Sequence, residues 1–427
     1  MNGPLAKALE YLDAHVNFET APSRRSTPTL ERMTSLCRLL GDPQCSYPVV
    51  HLTGTNGKGS TARMITELLQ THGLSVGTYT SPHLERVNER LAWNGEPVAD
   101  DVLADALLGL EPLEQHLGER LTHFELLTAA AFTWFADCAV DVAVVEVGMG
   151  GRWDATNVAD AVVAVVTNIA LDHAEVIGPT RAEIAVEKAG IVKDGSILVL
   201  GETDPALVPT FIGRGQVWQR DVDFGCVSNV VAHGGRLLEL RTPLAQYEDV
   251  FVALHGPHQG DNAACAAAAA EAFFGRPLDG DVLAEAFAAV RVPGRFEIVS
   301  RRPLVVLDGA HNPDGARALG RTLAEDLYGR APDATVVGFT AGRDPLEMLT
   351  ILRDAGVRRV VACRPPHPRG LPADEVGAAA RELGLQAEAV PSPAGALERA
   401  RRVAGDEGFV LVTGSLYVVG EARAAFM

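Results

Sequence analysis

The feature that most constrains this chain is a glycine-rich loop between a strand pattern and a helix pattern. Pro48–Arg63 reads PVVHLTGTNGKGSTAR, with an apolar run before the glycines and a helix pattern after them. Glycines let consecutive backbone N–H groups turn towards an anion, and the following helix presents its positive end there. The order predicts a phosphate-binding loop in which Lys58 reaches the terminal phosphates and Ser60 or Thr61 binds phosphate or Mg²⁺. Because Gly59 interrupts the GxxxxGK[ST] spacing, a tight connection beside a surface lysine is the alternative.

Length and charge limit the classes of protein to consider. At 427 residues the chain is expected to form two or three domains. With 37 Lys+Arg against 55 Asp+Glu, the net charge of −18 argues against nonspecific binding to nucleic acid or anionic membranes. An anionic small molecule in a pocket stays possible, since exposed charges are screened beyond roughly 8 Å at physiological salt.

The six cysteines are scattered, without a CxxC pair or a zinc-binding spacing. They are typical of reduced thiols in a cytosolic protein. The N-terminus lacks a basic-then-apolar leader, and no apolar run approaches the length of a membrane span. We expect a cytoplasmic, monomeric protein that binds neither nucleic acid nor membrane.

Alternation of apolar runs with helix patterns predicts an α/β protein with two domains. Residues 1–293 are expected to form an N-terminal P-loop-type ATP-binding domain with a mostly parallel sheet. A hinge at 292–296 leads into residues 294–427, a smaller C-terminal Rossmann-like α/β domain. Shorter alternating strands at 215–255 predict an antiparallel extension, Asn94-Gly95 predicts a hairpin, and the alanine tract at 266–270 predicts close helix packing.

The helix patterns cover 4–14, 29–40, 100–116, 123–137, 180–190, 260–274, 280–290, 313–327, 345–355, 371–383 and 394–404. The strand patterns outside the glycine loop cover 74–79, 141–147, 161–167, 197–200, 303–308, 335–340, 358–363, 386–390 and 409–413.

Ligands of open parallel sheets bind beyond the carboxyl ends of the strands, where Ser81, Glu146 and His173 join the glycine loop. Glu146 closes an apolar strand, as does the acid that holds Mg²⁺ opposite a phosphate loop. His173 on its own is more typical of a hydrogen-bonded loop histidine. Lys188, in AVEKAGIVK, has the spacing of an exposed helix lysine.

Several segments resemble one known family, and they occur in order across nearly the whole chain. These are HLTGTNGKGST, YTSPHLERVNER, HFELLTAAAF, EVGMGGRWDATN, TNIALDH, EKAGIVK, GRFEIV, LDGAHNPDGA and TGSLY. Together they are similar to the Mur ligase superfamily and, within it, to folylpolyglutamate synthase/dihydrofolate synthase.

The resemblance implies an ATP-dependent amide ligase. Such enzymes convert a carboxylate into an acyl phosphate, which the amino group of an incoming amino acid attacks, with release of ADP and phosphate. The expected substrates are L-glutamate with a reduced folate, and as a second activity dihydropteroate. The implied cofactors are ATP and Mg²⁺, with two ions expected.

The resemblance also implies the site around the nucleotide. Mg²⁺ is expected at Ser81, Glu146 and His173, and Lys188 matches a lysine that is carbamylated in the family and then serves as a metal ligand. The implied catalytic residues are Lys58, Lys188 and His311. The implied nucleotide-binding residues are Gly54, Thr55, Asn56, Gly57, Lys58, Gly59, Ser60, Thr61, Asn262, Arg295 and Asp308.

Substrate contacts are implied for Phe124, Arg152, Asp154, His311 and Ser415. Domain closure would bring the C-terminal residues onto a nucleotide held by the first domain and exclude water. His311 acts either as the base that deprotonates the amino acid or as an orienting group. Phe124 either stacks on a pteridine or aminobenzoyl ring or is a core aromatic at a helix start.

Two departures from the family pattern bear on the substrate. The loop that commonly reads Asp-Leu-Gly in dihydrofolate-synthesising members reads Thr27-Pro28-Thr29 here. A strand end that often carries Lys-Asp reads TAGRD, so Asp344 is kept and Arg343 stands near the lysine position. The alternatives are therefore the same ligase chemistry on another carboxylate, a P-loop nucleotide switch or phosphotransfer protein, and an inactive binding protein.

Overall fold

The computed structural model describes residues 3–20, 29–172 and 176–427 and divides into two compact units. The first unit comprises Met1–Ser228, Leu238–Val250 and Gly260–Val290. The second comprises Asn229–Leu237, Phe251–Gln259 and Arg291–Met427, so it includes two short segments from the predicted first domain. The boundary at residue 293 stays a prediction.

The helices and strands alternate along much of the chain. The helices are α1 Pro4–Asp13, α2 Glu31–Leu39, α3 Lys58–Thr71, α4 Asp100–Leu108, α5 Glu111–Glu114, α6 His123–Asp137, α7 Arg181–Lys188, α8 His258–Phe274, α9 Gly280–Ala289, α10 Pro313–Asp326, α11 Pro345–Asp354, α12 Ala373–Glu382, α13 Pro393–Ala404 and α14 Leu416–Arg423. The strands are β1 Val49–Thr53, β2 Val76–Tyr79, β3 Leu91–Trp93, β4 Glu96–Pro97, β5 Val142–Glu146, β6 Val163–Val166, β7 Ile197–Leu200, β8 Gln216–Gln219, β9 Gly225–Ala232, β10 Gly235–Arg241, β11 Gln246–Val252, β12 Glu297–Arg301, β13 Leu304–Leu307, β14 Ala334–Val337, β15 Arg359–Ala362, β16 Gln386–Ala389 and β17 Phe409–Thr413.

An eight-stranded sheet dominates the first unit, in the order β4-β3-β2-β5-β1-β6-β7-β8. The strands from β2 to β8 are parallel, and β3 and β4 are antiparallel additions. Every residue of β1 and β5 is buried, which explains their continuous apolar sequences. The carboxyl ends of β1, β5 and β6 therefore meet at one edge of the sheet, as predicted.

A six-stranded sheet forms the centre of the second unit, in the order β12-β13-β17-β14-β15-β16. All its pairings are parallel except that of the edge strand β12 with β13. The mostly parallel first sheet and the smaller α/β C-terminal region confirm the predicted fold class.

The predicted antiparallel extension at 215–255 is wrong at its start. The strand β8 pairs in parallel with β7, because its register continues the large sheet, and β9, β10 and β11 form a separate sheet. The predicted helix over 100–116 is also broken. Pro112 lacks an N–H and its ring would clash with the carbonyl of residue 108, so α4 ends there and Pro112 starts α5.

Three local predictions are confirmed. The β3–β4 hairpin turns at Asn94 and Gly95, with φ of 49° and 79°. The side chains of residues 266–270 are completely buried, as close helix packing requires. Among the described residues, no helix combines the length and the apolarity that a membrane crossing needs.

Candidate active site

The glycine loop joins β1 to α3 and contains two positions that suit only glycine. Gly54 and Gly57 have φ of 152° and 82°, which side chains with a Cβ rarely adopt. A Cβ on Gly57 would lie 2.5 Å from Oδ1 of Asn262. The 14-residue helix that follows directs its free N–H groups at the loop and carries the buried Ser60 and Thr61 in its first turn. This is the geometry of an anion-binding turn.

The neighbouring strand β6 fixes the shape of the loop through residues that the sequence analysis missed. The amide of Asn168 accepts from the backbone N–H of Asn56 at 3.0 Å and donates to the Asn56 carbonyl at 3.0 Å. Thr167 Oγ1 donates to the same carbonyl at 2.7 Å, and Thr55 Oγ1 donates to the Ala170 carbonyl at 3.1 Å. The signal for them was a polar Thr-Asn pair at the carboxyl end of a buried strand.

Two lysines donate to one carbonyl oxygen at the mouth of the loop. Nζ of Lys58 lies 3.2 Å and Nζ of Lys188 lies 2.8 Å from the Gly54 carbonyl. Lys188 is only 4% exposed, so the expectation of a solvent-exposed helix lysine is wrong. Burial, together with the charge of Lys58, lowers the pKa of Lys188 to about 7. Its amine is therefore partly neutral at physiological pH.

Glu146 and Ser81 place hard oxygen ligands beside this pair of cations. Glu146 Oε1 lies 4.0 Å from Lys58 Nζ, and Glu146 Oε2 accepts from the Ser81 N–H at 3.4 Å. The carboxylate is 3% exposed and faces the first turn of α3, since a Cβ on Gly59 would lie 3.6 Å from Oε2. A carboxylate next to a hydroxyl-bearing residue suits Mg²⁺.

Two predicted features fall on residues that the structure does not describe. His173, the third expected Mg²⁺ ligand, lies in the segment 173–175, and Thr27-Pro28 lies in the segment 21–28. Within the ranges that are described, no three His, Cys, Asp or Glu side chains are grouped to hold a metal ion.

The turn that follows β5 is bonded to the segment that carries Lys188. The Arg152 N–H donates to the Glu187 carbonyl at 2.9 Å, and the Asn157 amide donates to the Gly190 carbonyl at 3.1 Å. Nζ of Lys193 donates to the Asn157 carbonyl at 2.9 Å. The turn 148–158 and the lysine segment are thus held as one element.

Asp154 organises this same turn from inside. Its carboxylate accepts from the N–H groups of Met149 and Thr156, both at 3.0 Å, and from Thr156 Oγ1 at 2.5 Å. Burial raises the pKa of Asp154, while these hydrogen bonds favour its ionised form. Asp154 is 7% exposed, so most of its carboxylate faces the turn.

Phe124 lies over the start of the turn and stays half-buried. A Cβ on Gly148 would lie 2.6 Å from the Phe124 ring, so the ring rests against the glycine backbone. Its other neighbour is Tyr79, with ring centroids 5.9 Å apart. Phe124 therefore has both a packing role and an exposed part, and the two sequence-based interpretations stay open.

In the second unit, Asp308 is held by backbone donors. Its carboxylate accepts from the N–H groups of Phe296 at 3.0 Å and Ala310 at 2.9 Å. Burial raises the pKa of Asp308 and the charge of Arg295 opposes that rise. Arg295 also donates to the Gly309 carbonyl at 3.3 Å, so the two predicted nucleotide-binding residues of this unit lie together.

His311 and Ser415 lie at the carboxyl edges of the paired parallel strands β13 and β17. The two loops meet where the Gly414 N–H donates to the Ala310 carbonyl at 3.1 Å. Nδ1 of His311 lies 2.9 Å from the Gly309 carbonyl, so in the neutral ring Nδ1 carries the proton and Nε2 the lone pair. Ser415 is 3% exposed and caps α14.

The strand end with the altered Lys-Asp pair has its own supports. Asp344 caps α11 by accepting from the Leu346 N–H at 2.9 Å. Arg369 and Ala341 exchange two hydrogen bonds, from the Arg369 guanidinium to the Ala341 carbonyl and from the Ala341 N–H to the Arg369 carbonyl. Sequence reasoning missed Arg369. Arg343 is partly exposed on this loop.

Comparison with known proteins places this arrangement in one family. The Mur ligase middle domain matches residues 52–270, and the Mur ligase glutamate ligase domain matches residues 294–416. A dihydrofolate synthase/folylpolyglutamate synthase of Mycobacterium tuberculosis is 40% identical over 82% of this chain and 75% of its own length. The chain belongs to the Mur ligase family.

Solved structures extend this relationship over the whole fold. A Mycobacterium tuberculosis folylpolyglutamate synthase complexed with ADP and AMPPCP is 35% identical and covers 99% of this chain and 98% of its own, with a TM-score of 0.91. A folylpolyglutamate synthase complex with AMPPCP and folate is 32% identical over 99% of both chains, with a TM-score of 0.85. The resemblance seen in the sequence is confirmed, and the chain is a ligase of the folylpolyglutamate synthase/dihydrofolate synthase group.

Proposed function

We propose that this ligase adds L-glutamate to a reduced folate and, as a second activity, to dihydropteroate, through an acyl phosphate with release of ADP and phosphate. The observation that carries the proposal is the convergence of Lys58 and Lys188 on the Gly54 carbonyl beside Glu146. The cations need an anion to offset them, and the loop offers backbone N–H groups to the same ligand. The similarity to a folylpolyglutamate synthase complexed with AMPPCP and folate supports both substrates.

The glycine loop from Gly54 to Thr61 would bind the triphosphate of ATP, with Asn262 beside it. Lys58 then stabilises charge on the terminal phosphate, which is most of what a protein contributes to phosphoryl transfer. We assign one Mg²⁺ to Ser81, Glu146 and His173 and a second to Lys188 as its carbamate. Bound there, the ions would offset phosphate charge.

Lys188 is suited to carbamylation because its amine is partly neutral. A neutral amine attacks CO₂ and loses a proton, which gives an anionic carbamate at the same position. This change replaces one of two crowded cations by an oxygen ligand for Mg²⁺. The buried site and the lowered pKa of Lys188 support this assignment.

In the second unit we assign Arg295 and Asp308 to the nucleotide and His311 and Ser415 to glutamate and the acyl phosphate. The glutamate ammonium must lose a proton before its nitrogen attacks the acyl carbon and phosphate leaves. The Nε2 lone pair of His311 is the right type of group to accept or orient that proton.

We assign the folate to the turn 148–158 with Phe124. The half-buried ring offers a stacking surface, Asp154 an acceptor for pterin N–H groups, and Arg152 a cation for the substrate carboxylate. We also place the chain in the cytoplasm as a monomer. Its six cysteines are free thiols, as suits a reducing compartment.

The test is ADP release with tetrahydrofolate and with dihydropteroate, each with and without L-glutamate, and with products identified by mass spectrometry. We expect glutamate-dependent ADP release and a product heavier by one glutamate residue. Absence of that release with both pterins would contradict the folate assignment and leave a ligase for another carboxylate. Full ADP release without any amino acid would instead favour a nucleotide switch or phosphotransfer protein.

A further inference from the structure

A buried histidine of β1 forms the end of a hydrogen-bond chain that the proposed reaction does not use. His51 is completely buried in the central strand of the first sheet. Its Nε2 lies 2.8 Å from Thr156 Oγ1, and within the described part of the chain its buried Nδ1 has no hydrogen-bond partner. The chain continues from Thr156 Oγ1 to Asp154 Oδ1.

The chemistry of the three groups fixes the direction of this chain. The Thr156 hydroxyl has one proton, and it donates that proton to the carboxylate of Asp154. It must therefore accept from His51, so Nε2 carries the histidine proton and Nδ1 the lone pair. Burial, together with the charge of Lys193, lowers the pKa of His51 to about 3, so the ring stays neutral.

The chain ends on the residue that organises the folate-binding turn. Asp154 accepts from Thr156 twice and from the Met149 N–H, across the whole turn. Donors arranged in series polarise one another, so the histidine strengthens the bond from the threonine to the carboxylate. His51 itself is buried in the sheet and reaches the turn only through Thr156.

We propose that His51 is a positioning residue for the folate site, which acts through the Thr156 hydroxyl to fix the orientation of the Asp154 carboxylate. The inference rests on the proposed role of Asp154 in folate binding. Nucleotide binding does not depend on it, since Thr156 and Asp154 lie on the turn after β5 and not on the glycine loop.

The first test reads the tautomer without any measurement of activity. The full-length protein with ¹⁵N-labelled histidine is examined by NMR from pH 5 to pH 8, and the His51 signals are assigned by their loss in His51→Leu or, failing that, by their shift in Thr156→Val. We expect a neutral ring with the proton on Nε2 throughout. A proton on Nδ1, or a charged ring in this range, would overturn the hydrogen-bond direction even if the protein proved to be a folate ligase.

The second test separates a folate effect from a general structural effect. In His51→Leu we expect the KM for tetrahydrofolate to rise about tenfold, the loss expected for one hydrogen bond to a charge-linked group. The KM for ATP and kcat should stay within about twofold. His51→Gln, which keeps an N–H at similar reach, should restore most of the folate affinity. An equal rise in both KM values, or no rise for folate, would refute the proposal.

Thr156 supplies a matched pair if His51→Leu does not fold. Thr156→Val removes the hydroxyl at constant shape, whereas Thr156→Ser keeps it. We expect only the valine variant to show the rise in folate KM, and equal KM values in the two variants would contradict the proposal. Since the groups act in series, the double variant His51→Leu/Thr156→Val should be no worse than the worse single variant.

Discussion

The carboxyl edges of the two parallel sheets handle buried charge in opposite ways. At the edge of the first sheet, Lys58 and Lys188 share the Gly54 carbonyl, and the burial of Lys188 disfavours its charge. At the edge of the second sheet, Asp308 is satisfied by two backbone N–H groups. The first edge therefore depends on a ligand to balance its charge, whereas the second is already arranged for one.

The largest effect is expected from removing the cation at the first edge. Lys58→Ala should lower ligase turnover by about 10²- to 10³-fold, because the charge on the transferred phosphate loses its stabilising group. Steady-state ADP formation measures the loss, and Lys7→Ala on the exposed face of α1 is the control, with turnover close to wild type. A loss of less than tenfold would show that the loop does not depend on this cation.

At the second edge, His311→Ala should reduce glutamate-dependent turnover by about 10²-fold, since proton transfer to a positioned base contributes that much. ATP affinity of the full-length protein, measured by calorimetry, should be unchanged if His311 serves the amino acid. A pH–rate profile distinguishes the two roles, because loss of a base removes the acidic limb and loss of an orienting group leaves it. Unchanged turnover would favour a nucleotide switch.

A third effect tests the unbalanced charge directly through Lys188. The neutral amine increases as pH rises through about 7, so carbamate should form more readily above that pH. NMR with ¹³C-labelled bicarbonate should show a carbamate signal that grows between pH 6 and pH 8 and is missing in Lys188→Arg. A signal of equal size in Lys188→Arg would place the carbamate elsewhere.

The same pKa has a consequence for stability, measured without CO₂. The native pKa of Lys188 lies below that of the unfolded chain, so folding favours the neutral amine. Its stabilising contribution is complete above about pH 10.5 and is lost as pH falls towards 7. The free energy of unfolding of wild type relative to Lys188→Met should therefore decrease over that range. An increase with falling pH would contradict the lowered pKa.

The smallest effect separates a capping role from a substrate role in the second unit. Asp344→Ala should cost about 1 kcal/mol of stability, because α11 loses its N-cap. Asp344→Asn, which keeps the cap, should be close to wild type in thermal unfolding. Turnover should stay within about twofold in both variants. A tenfold rise in the KM for glutamate in Asp344→Asn would show that the carboxylate serves the substrate as well.

Local patterns allowed much of the fold to be predicted. The glycine loop, the hairpin at Asn94-Gly95 and the buried parallel strands depend on residues close in sequence. The burial of Lys188 could not be predicted, because its partner Gly54 lies 134 residues earlier. Asn168, which fixes the glycine loop from 112 residues away, was missed for the same reason. The parallel pairing of β8 likewise depends on a neighbour that the alternation of side chains does not reveal.

The bonds between the turn 148–158 and the lysine segment have a consequence for efficiency. Because Arg152 is bonded to the residue just before Lys188, a substrate that stiffens the turn also stiffens the group nearest the phosphates. An empty folate pocket would leave that lysine less well ordered and the nucleotide poorly aligned. This arrangement would limit wasteful ATP hydrolysis while no acceptor acid is bound.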